Sequence, residues 1–196
     1  MLSIHRISGC ILAFCLIAAA GTVAQAQEAA PAKPAVGTPV PPAQVYGRLL
    51  GGMEKEFVGA VEAMPEDKFN FSPTAVMSTG DFKGVRTFAE QVKHVTEANY
   101  YFFGTLSDAD MKAKGEAIGK LTTKAEIVQA LKDSFALAHS YVDGITAENA
   151  FVMTANGTRA GQATFGLAHM MDHYGQIVEY LRMNGIVPPA SRGGGM

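Results

Sequence analysis

Cysteine is scarce in this chain: of its 196 residues only Cys10 and Cys15 are cysteine. Both fall in a leading stretch that reads as an export signal. Arg6 supplies a positive charge, an apolar run extends from Cys10 to Ala20, and Ala24-Gln25-Ala26 is a small-x-small cleavage site. Cleavage after Ala26 removes both thiols. The remainder then has no disulfide, no cysteine nucleophile and no cysteine metal ligand. The same reading predicts an exported protein, periplasmic or extracellular. The apolar run is shorter than the ~20 residues of a spanning helix, which argues against stable membrane insertion once the leader is removed. A lipid anchor on Cys10 is ruled out because most of the apolar run follows that cysteine.

An excess of either charge is missing too. Sixteen Lys and Arg stand against eighteen Asp and Glu, a formal net charge of −2. With no basic block, the charge balance argues against a nucleic-acid binder. There is no Glu-x-x-His pair, so a ferritin-type di-iron bundle lacks its signature. There is no Cys-x-x-Cys-His for haem, no glycine-rich phosphate loop and no serine nucleophile elbow.

What is present is apolar and periodic. Apolar residues make up 48% and charged residues 17%, the balance of a globular domain. Gln27 to Pro42 is rich in Ala and Pro and predicts an extended linker over 27–42. The glycine-rich end predicts a loose tail over 190–196. The folded unit is therefore 43–189.

Four amphipathic patterns occupy that unit. The first runs from about Ala43 to Met64, with a stripe of Val45, Leu49, Met53, Phe57, Val61 and Met64, and Pro65 stops it. Lys68 to Lys83 reads as a long loop. The second runs from about Val85 to Leu106 on Phe88, Val92, Val95 and Phe102, and Gly115 and Gly119 fall in the next connection. The third is capped by Thr122 or Thr123, with Glu126 three residues after Thr123 in a capping-box pattern, and carries Ile127, Leu131, Phe135, Ala138, Val142 and Ile145. The fourth runs from about Ala160 to Asn184 and ends at Gly185. Phe151 to Thr154 has strand character without an obvious partner, and Asn156-Gly157-Thr158 is a turn signal. The predicted fold is all-α, a four-helix bundle, in which two long connections leave simple up-down order unforced.

The chemistry concentrates on histidine. His169 and His173 are four apart on the fourth helix and share a face, with Met170, Ile177 and Leu181 as an apolar line beside them. Two neutral imidazoles one turn apart suit a divalent metal, or form a hydrogen-bonded pair at the rim of the bundle. Met170 and Met171 raise copper as an option, against the commoner use of methionine in cores. A catalytic site needs a third ligand and an open position. His94 on the second helix and His139 on the third are both placed to supply one, and position alone does not rank them. The alternative for His139 is a partly buried side chain with a backbone partner.

Two segments carry a family resemblance. One is Phe88-Ala89-Glu90-Gln91-Val92-Lys93-His94-Val95-Thr96-Glu97-Ala98. The other is the H-x-x-x-H-x-x-Q run from His169 through Gln176, continuing to Leu181-Arg182, Gly185-Ile186 and Pro188-Pro189. The chain resembles the DinB-like family (DinB/YfiT-like metal-dependent enzymes) from about Val45 to Pro189. That resemblance implies a four-helix bundle whose divalent metal, zinc or nickel, is held by His94, His169 and His173. His139 matches no ligand of the family. Relatives include bacillithiol-using thiol transferases and a mycothiol-dependent isomerase. Such thiols are cytosolic, and the export signal departs from that setting.

Three neutral histidines leave a divalent site open to water or substrate, with bound water brought toward a pKa of ~7 or a thiolate held as nucleophile. A proton acceptor belongs nearby, and Glu97, three residues after His94, is the first candidate, against the alternative of a solvated carboxylate. Gln176 is placed to orient a ligand or to make an inter-helix hydrogen bond. Asp172 is not aligned with the histidines. Two functions follow: a metal-dependent hydrolase or transferase acting on a small-molecule substrate, or a non-catalytic metal-binding or scaffold bundle. A homodimer is compatible with either.

Overall fold

The computed structural model of the protein describes residues 34–193. The expected leader lies outside them, as does the end of the tail. Five α-helices are present among the described residues: α1 (Pro42–Ala63), α2 (Phe88–Phe103), α3 (Asp108–Gly119), α4 (Lys124–Asp143) and α5 (Arg159–Met183). The chain is all-α, as expected, with one helix more than the four patterns. None of these helices is long and apolar enough to cross a membrane.

The four long helices enclose the core. α1 and α2 each pack against both α4 and α5, so α1 and α2 are diagonal partners. A diagonal step needs a long connection, which is the role of residues 64–87. That connection is not featureless, since it holds two short 3-10 turns, Glu66–Lys68 and Pro73–Ala75. Phe69 is buried within it and stacks edge-on against Phe88. Phe57, Phe88, Leu131, Phe135, Met170, Ile177 and Leu181 are all at 0% exposure and form the centre.

Helix starts follow local chemistry. In α2, Thr87 accepts from the Glu90 backbone N–H at 3.2 Å and Glu90 accepts from that of Thr87 at 2.7 Å. This reciprocal box satisfies orphan donors and starts the helix later than Val85, where periodicity alone put it. The Thr123–Glu126 box starts α4 where expected. Thr158 caps α5 through the Gly161 N–H.

Three further expectations are corrected. The inward stripe of α1 is Leu50, Met53, Phe57, Ala60 and Val61, continued by Met64 just past its end, whereas Val45 and Leu49 are 44% and 54% exposed. Tyr46 takes the inner position of that first turn, donating to the Ala160 carbonyl at 3.1 Å. α3 was unreadable as a helix because only Ile118 is buried on it, so it has no apolar stripe. Met153–Thr154 does have a partner: it pairs antiparallel with Gly157–Thr158 across the two-residue turn Ala155-Asn156, with Gly157 at φ +103°. In the expected tail, Pro189–Ser191 forms a 3-10 turn packed on α1, with Pro189 close against Gly59.

Candidate metal centre

The site sits where α2 meets α5. At Gly166 any Cβ would run into the Phe103 ring, so glycine lets the two helices approach closely there. His169 lies one turn further along α5 and faces His94 on α2. Their Nε2 atoms are 3.2 Å apart. His173 follows one turn on, with its ring centroid 4.7 Å from that of His94 and 4.5 Å from that of His169. One ring nitrogen from each of the three lies within 4.8 Å of the others. His173 is buried and the other two are half-buried.

The donor set suits a cation. Two imidazole nitrogens at 3.2 Å repel lone pair to lone pair unless a proton or a cation lies between them. Tetrahedral zinc–imidazole bonds place neighbouring nitrogens roughly 3.3 Å apart. His173 Nδ1 lies 2.7 Å from Gln91 Oε1, an acceptor, so Nδ1 carries the proton and Nε2 keeps its lone pair. His169 Nδ1 is buried without a hydrogen-bond partner among the described residues, leaving that ring to be oriented by packing against Phe102.

Burial also keeps the rings neutral. The His173 pKa is pushed from the ordinary 6.5 down to about 4, first by desolvation, then by His169 and His94. Asp172 opposes the shift and Arg86 adds to it. His94 and His169 are lowered in the same way, mainly by burial. Neutral imidazole is the form that binds a metal. A stability prediction follows for the metal-free protein. Between about pH 6.5 and about 4 the unfolded chain takes up a proton at His173 that the folded chain refuses. Stability is therefore expected to fall as pH drops through that window. Thermal melts across it, with His173→Gln showing a flatter pH dependence, measure the effect.

Gln91 is the residue the sequence reading undervalued. It is 3% exposed, accepts from His173, and donates from Nε2 to Gln176 Oε1 at 2.7 Å. Gln176 in turn donates to Asp172 Oδ2 at 3.2 Å. Gln176 thus makes the inter-helix hydrogen bond and reaches His173 only through Gln91. The available signal was helical spacing, since Gln91 sits three residues before His94 on the same side of α2.

Glu97 is exposed and lines a pocket of about 300 Å³ that also contains His94, Ala98, Tyr101, Phe102, Met111 and His169. It is the only acid among these lining residues. Its carboxylate rests against Gly115 of α3, where a Cβ would collide with it. Met111 reaches the pocket from α3, so the helix without an apolar stripe supplies one wall. His139 lies elsewhere, half-buried between α4 and α1, with Nε2 2.8 Å from Glu54 Oε2. Its partner is a carboxylate, not the backbone group expected. Met170 is fully buried in the core and Met171 is 65% exposed.

This is an all-α protein with a cluster of three histidines compatible with a divalent metal. The sequence profile of the DinB superfamily matches residues 49–177, spanning most of the helical domain and all three histidines. The chain belongs to the DinB superfamily. No curated protein matches it significantly.

Proposed function

We propose that the protein is an exported metal-dependent enzyme, a hydrolase or transferase, whose divalent metal is held by His94, His169 and His173. The observation that carries this reading is the convergence of three neutral imidazoles beside an open pocket with a single carboxylate on its wall. Three histidines suit zinc or nickel and leave positions for a substrate. When bound, the metal supplies Lewis acidity to a substrate oxygen or sulfur.

The chain's own residues do the rest. Gln91 fixes the tautomer and orientation of His173, and Gln176 holds Gln91 in place. Phe102 covers one side of His169 and limits the access of water there. Glu97 Oε accepts the proton of an incoming water or thiol, returning it to the leaving group. The leader-like residues 1–26 support an address in the periplasm or outside the cell.

The test is elemental analysis of the purified, tag-free protein beside His169→Ala and Glu97→Ala. About one metal per chain is expected in the parent and in Glu97→Ala, and none in His169→Ala. Once a substrate is found by screening hydrolase and transferase reactions, Glu97→Ala is expected to lower kcat by about 100-fold or more. Loss of metal from Glu97→Ala would make Glu97 a ligand and overturn its role as base. No metal in the parent, even after incubation with zinc or nickel, would favour the scaffold reading.

A further inference from the structure

A second and larger cavity adjoins the histidine pocket. It has a volume of about 560 Å³, within the ~300–1,000 Å³ range of small-molecule sites. Tyr101 and Phe102 line both cavities, so the two adjoin at those rings. Phe165 stacks against Phe102 at 5.4 Å between centroids, yet Phe165 and Tyr101 are 64% and 65% exposed. Asn156 of the hairpin turn, Gly157 of its second strand and Gln162 of α5 complete the lining. Gln162 already accepts from the Tyr141 hydroxyl at 2.8 Å through Oε1, which leaves its NH2 group to donate. No lining residue carries a charge.

The other side of His94 differs. There Arg86, Glu90, Lys93 and Glu97 line a polar cavity. Two of these groups have partners: Lys93 donates to the Gly119 carbonyl at 3.0 Å, and Glu90 is engaged in the α2 capping box. Arg86 and Lys93 both keep their positive charge and would attract an anion to this side.

We infer that the aromatic cavity binds the non-reacting part of the substrate, and that this part is an uncharged aryl group carrying an amide or similar hydrogen-bonding function. The ring stacks among Tyr101, Phe102 and Phe165. Its polar function meets the Asn156 and Gln162 amides. Each of those contacts places the neighbouring reactive bond toward His94 and His169. An acid would meet the negative ring faces with no cation among the lining residues, and an ammonium would gain only ~0.5–1 kcal/mol from rings this exposed, less than it loses in hydration. The inference rests on the proposed metal-dependent activity for its meaning, but the cavity's binding does not require the metal.

The test uses metal-free protein and three probes of similar size: N-benzylacetamide, phenylacetate and benzylamine. Ligand-observed NMR titration reads their affinities. The neutral amide is expected to bind with a dissociation constant on the order of millimolar, as fragments of this size do. Both charged probes are expected to bind at least about five-fold more weakly. Phe165→Ala, at an exposed position that leaves the fold alone, is expected to weaken the amide by about five-fold or more, the scale of one aromatic contact. Asn156→Ala is expected to weaken it further. Tighter binding of phenylacetate, abolished in Arg86→Ala, would place the ligand on the charged side and overturn the inference. So would the absence of binding by all three probes, or amide binding indifferent to Phe165→Ala. Metal content, measured separately, distinguishes the two readings: amide binding with no metal in the parent defeats only the metalloenzyme, and a metal-loaded protein that ignores the amide defeats only this inference.

Discussion

Replacing His173 with alanine is expected to abolish stoichiometric metal binding while leaving the helices intact. His173 is the most buried of the three histidines and the one whose free nitrogen is fixed by a hydrogen bond on the other side of its ring. Its loss leaves two donors, His94 and His169, with no hydrogen bond among the described residues to hold either ring in line apart from their mutual contact. A residue that only orients a ligand costs ~10–100-fold in metal affinity when removed. Deleting the ligand is expected to exceed that range. Gln91→Leu supplies the graded comparison and is expected to fall inside it, because the imidazole remains but is free to turn. Competition titration against a chelating dye measures both, and circular dichroism checks the fold. His139→Ala is the control, with metal retained. Metal retained by His173→Ala, or lost from His139→Ala, would overturn the ligand set.

Phe57→Ala is expected to produce the largest loss of stability while leaving metal stoichiometry unchanged at room temperature. Phe57 is at 0% exposure and meets Phe135 of α4 at 6.5 Å and Tyr174 of α5 at 6.4 Å between centroids. One ring thus joins three helices. Truncating a buried Phe costs ~3–5 kcal/mol through lost burial and the cavity left behind. For a domain of this size that corresponds to a fall in melting temperature of roughly 10 °C. None of the three histidines lies on α1, so the folded variant keeps its site. A drop of only a few degrees would show that the neighbouring helices collapse into the space.

Together these variants separate two kinds of residue that the chain's pattern distinguishes only partly. The apolar stripe of α4 was legible: Ile127, Leu131, Phe135, Ala138 and Val142 are all buried, as is Ile145 just past its end. Its capping box is a local device, complete within four residues. The start of α1 was less legible because Val45 and Leu49 compete with Leu50 for the inward face, and the choice depends on which neighbour packs there. Tyr46, bonded to Ala160 on α5, settles that choice. α3 left no periodic trace, since it leans on α2 from one side and buries only Ile118.

At the site, the one-turn spacing of His169 and His173 needed nothing beyond helical geometry. Whether His94 or His139 joins them is a question about helix neighbours, and spacing along the chain carries no information on it. The resemblance to the DinB-like family pointed to His94, and the packing agrees: α2 lies against α5 at Gly166, while His139 turns toward Glu54 on α1. The Gln91–His173 hydrogen bond spans two helices far apart in sequence, as does the Gln91–Gln176 contact. Local pattern established the helices, their caps and the pair of histidines on one face, because each depends on residues within a turn or two. The third histidine's place, its orienting glutamine and the aromatic cavity depend on which helix faces come together, and close packing in the folded chain sets that.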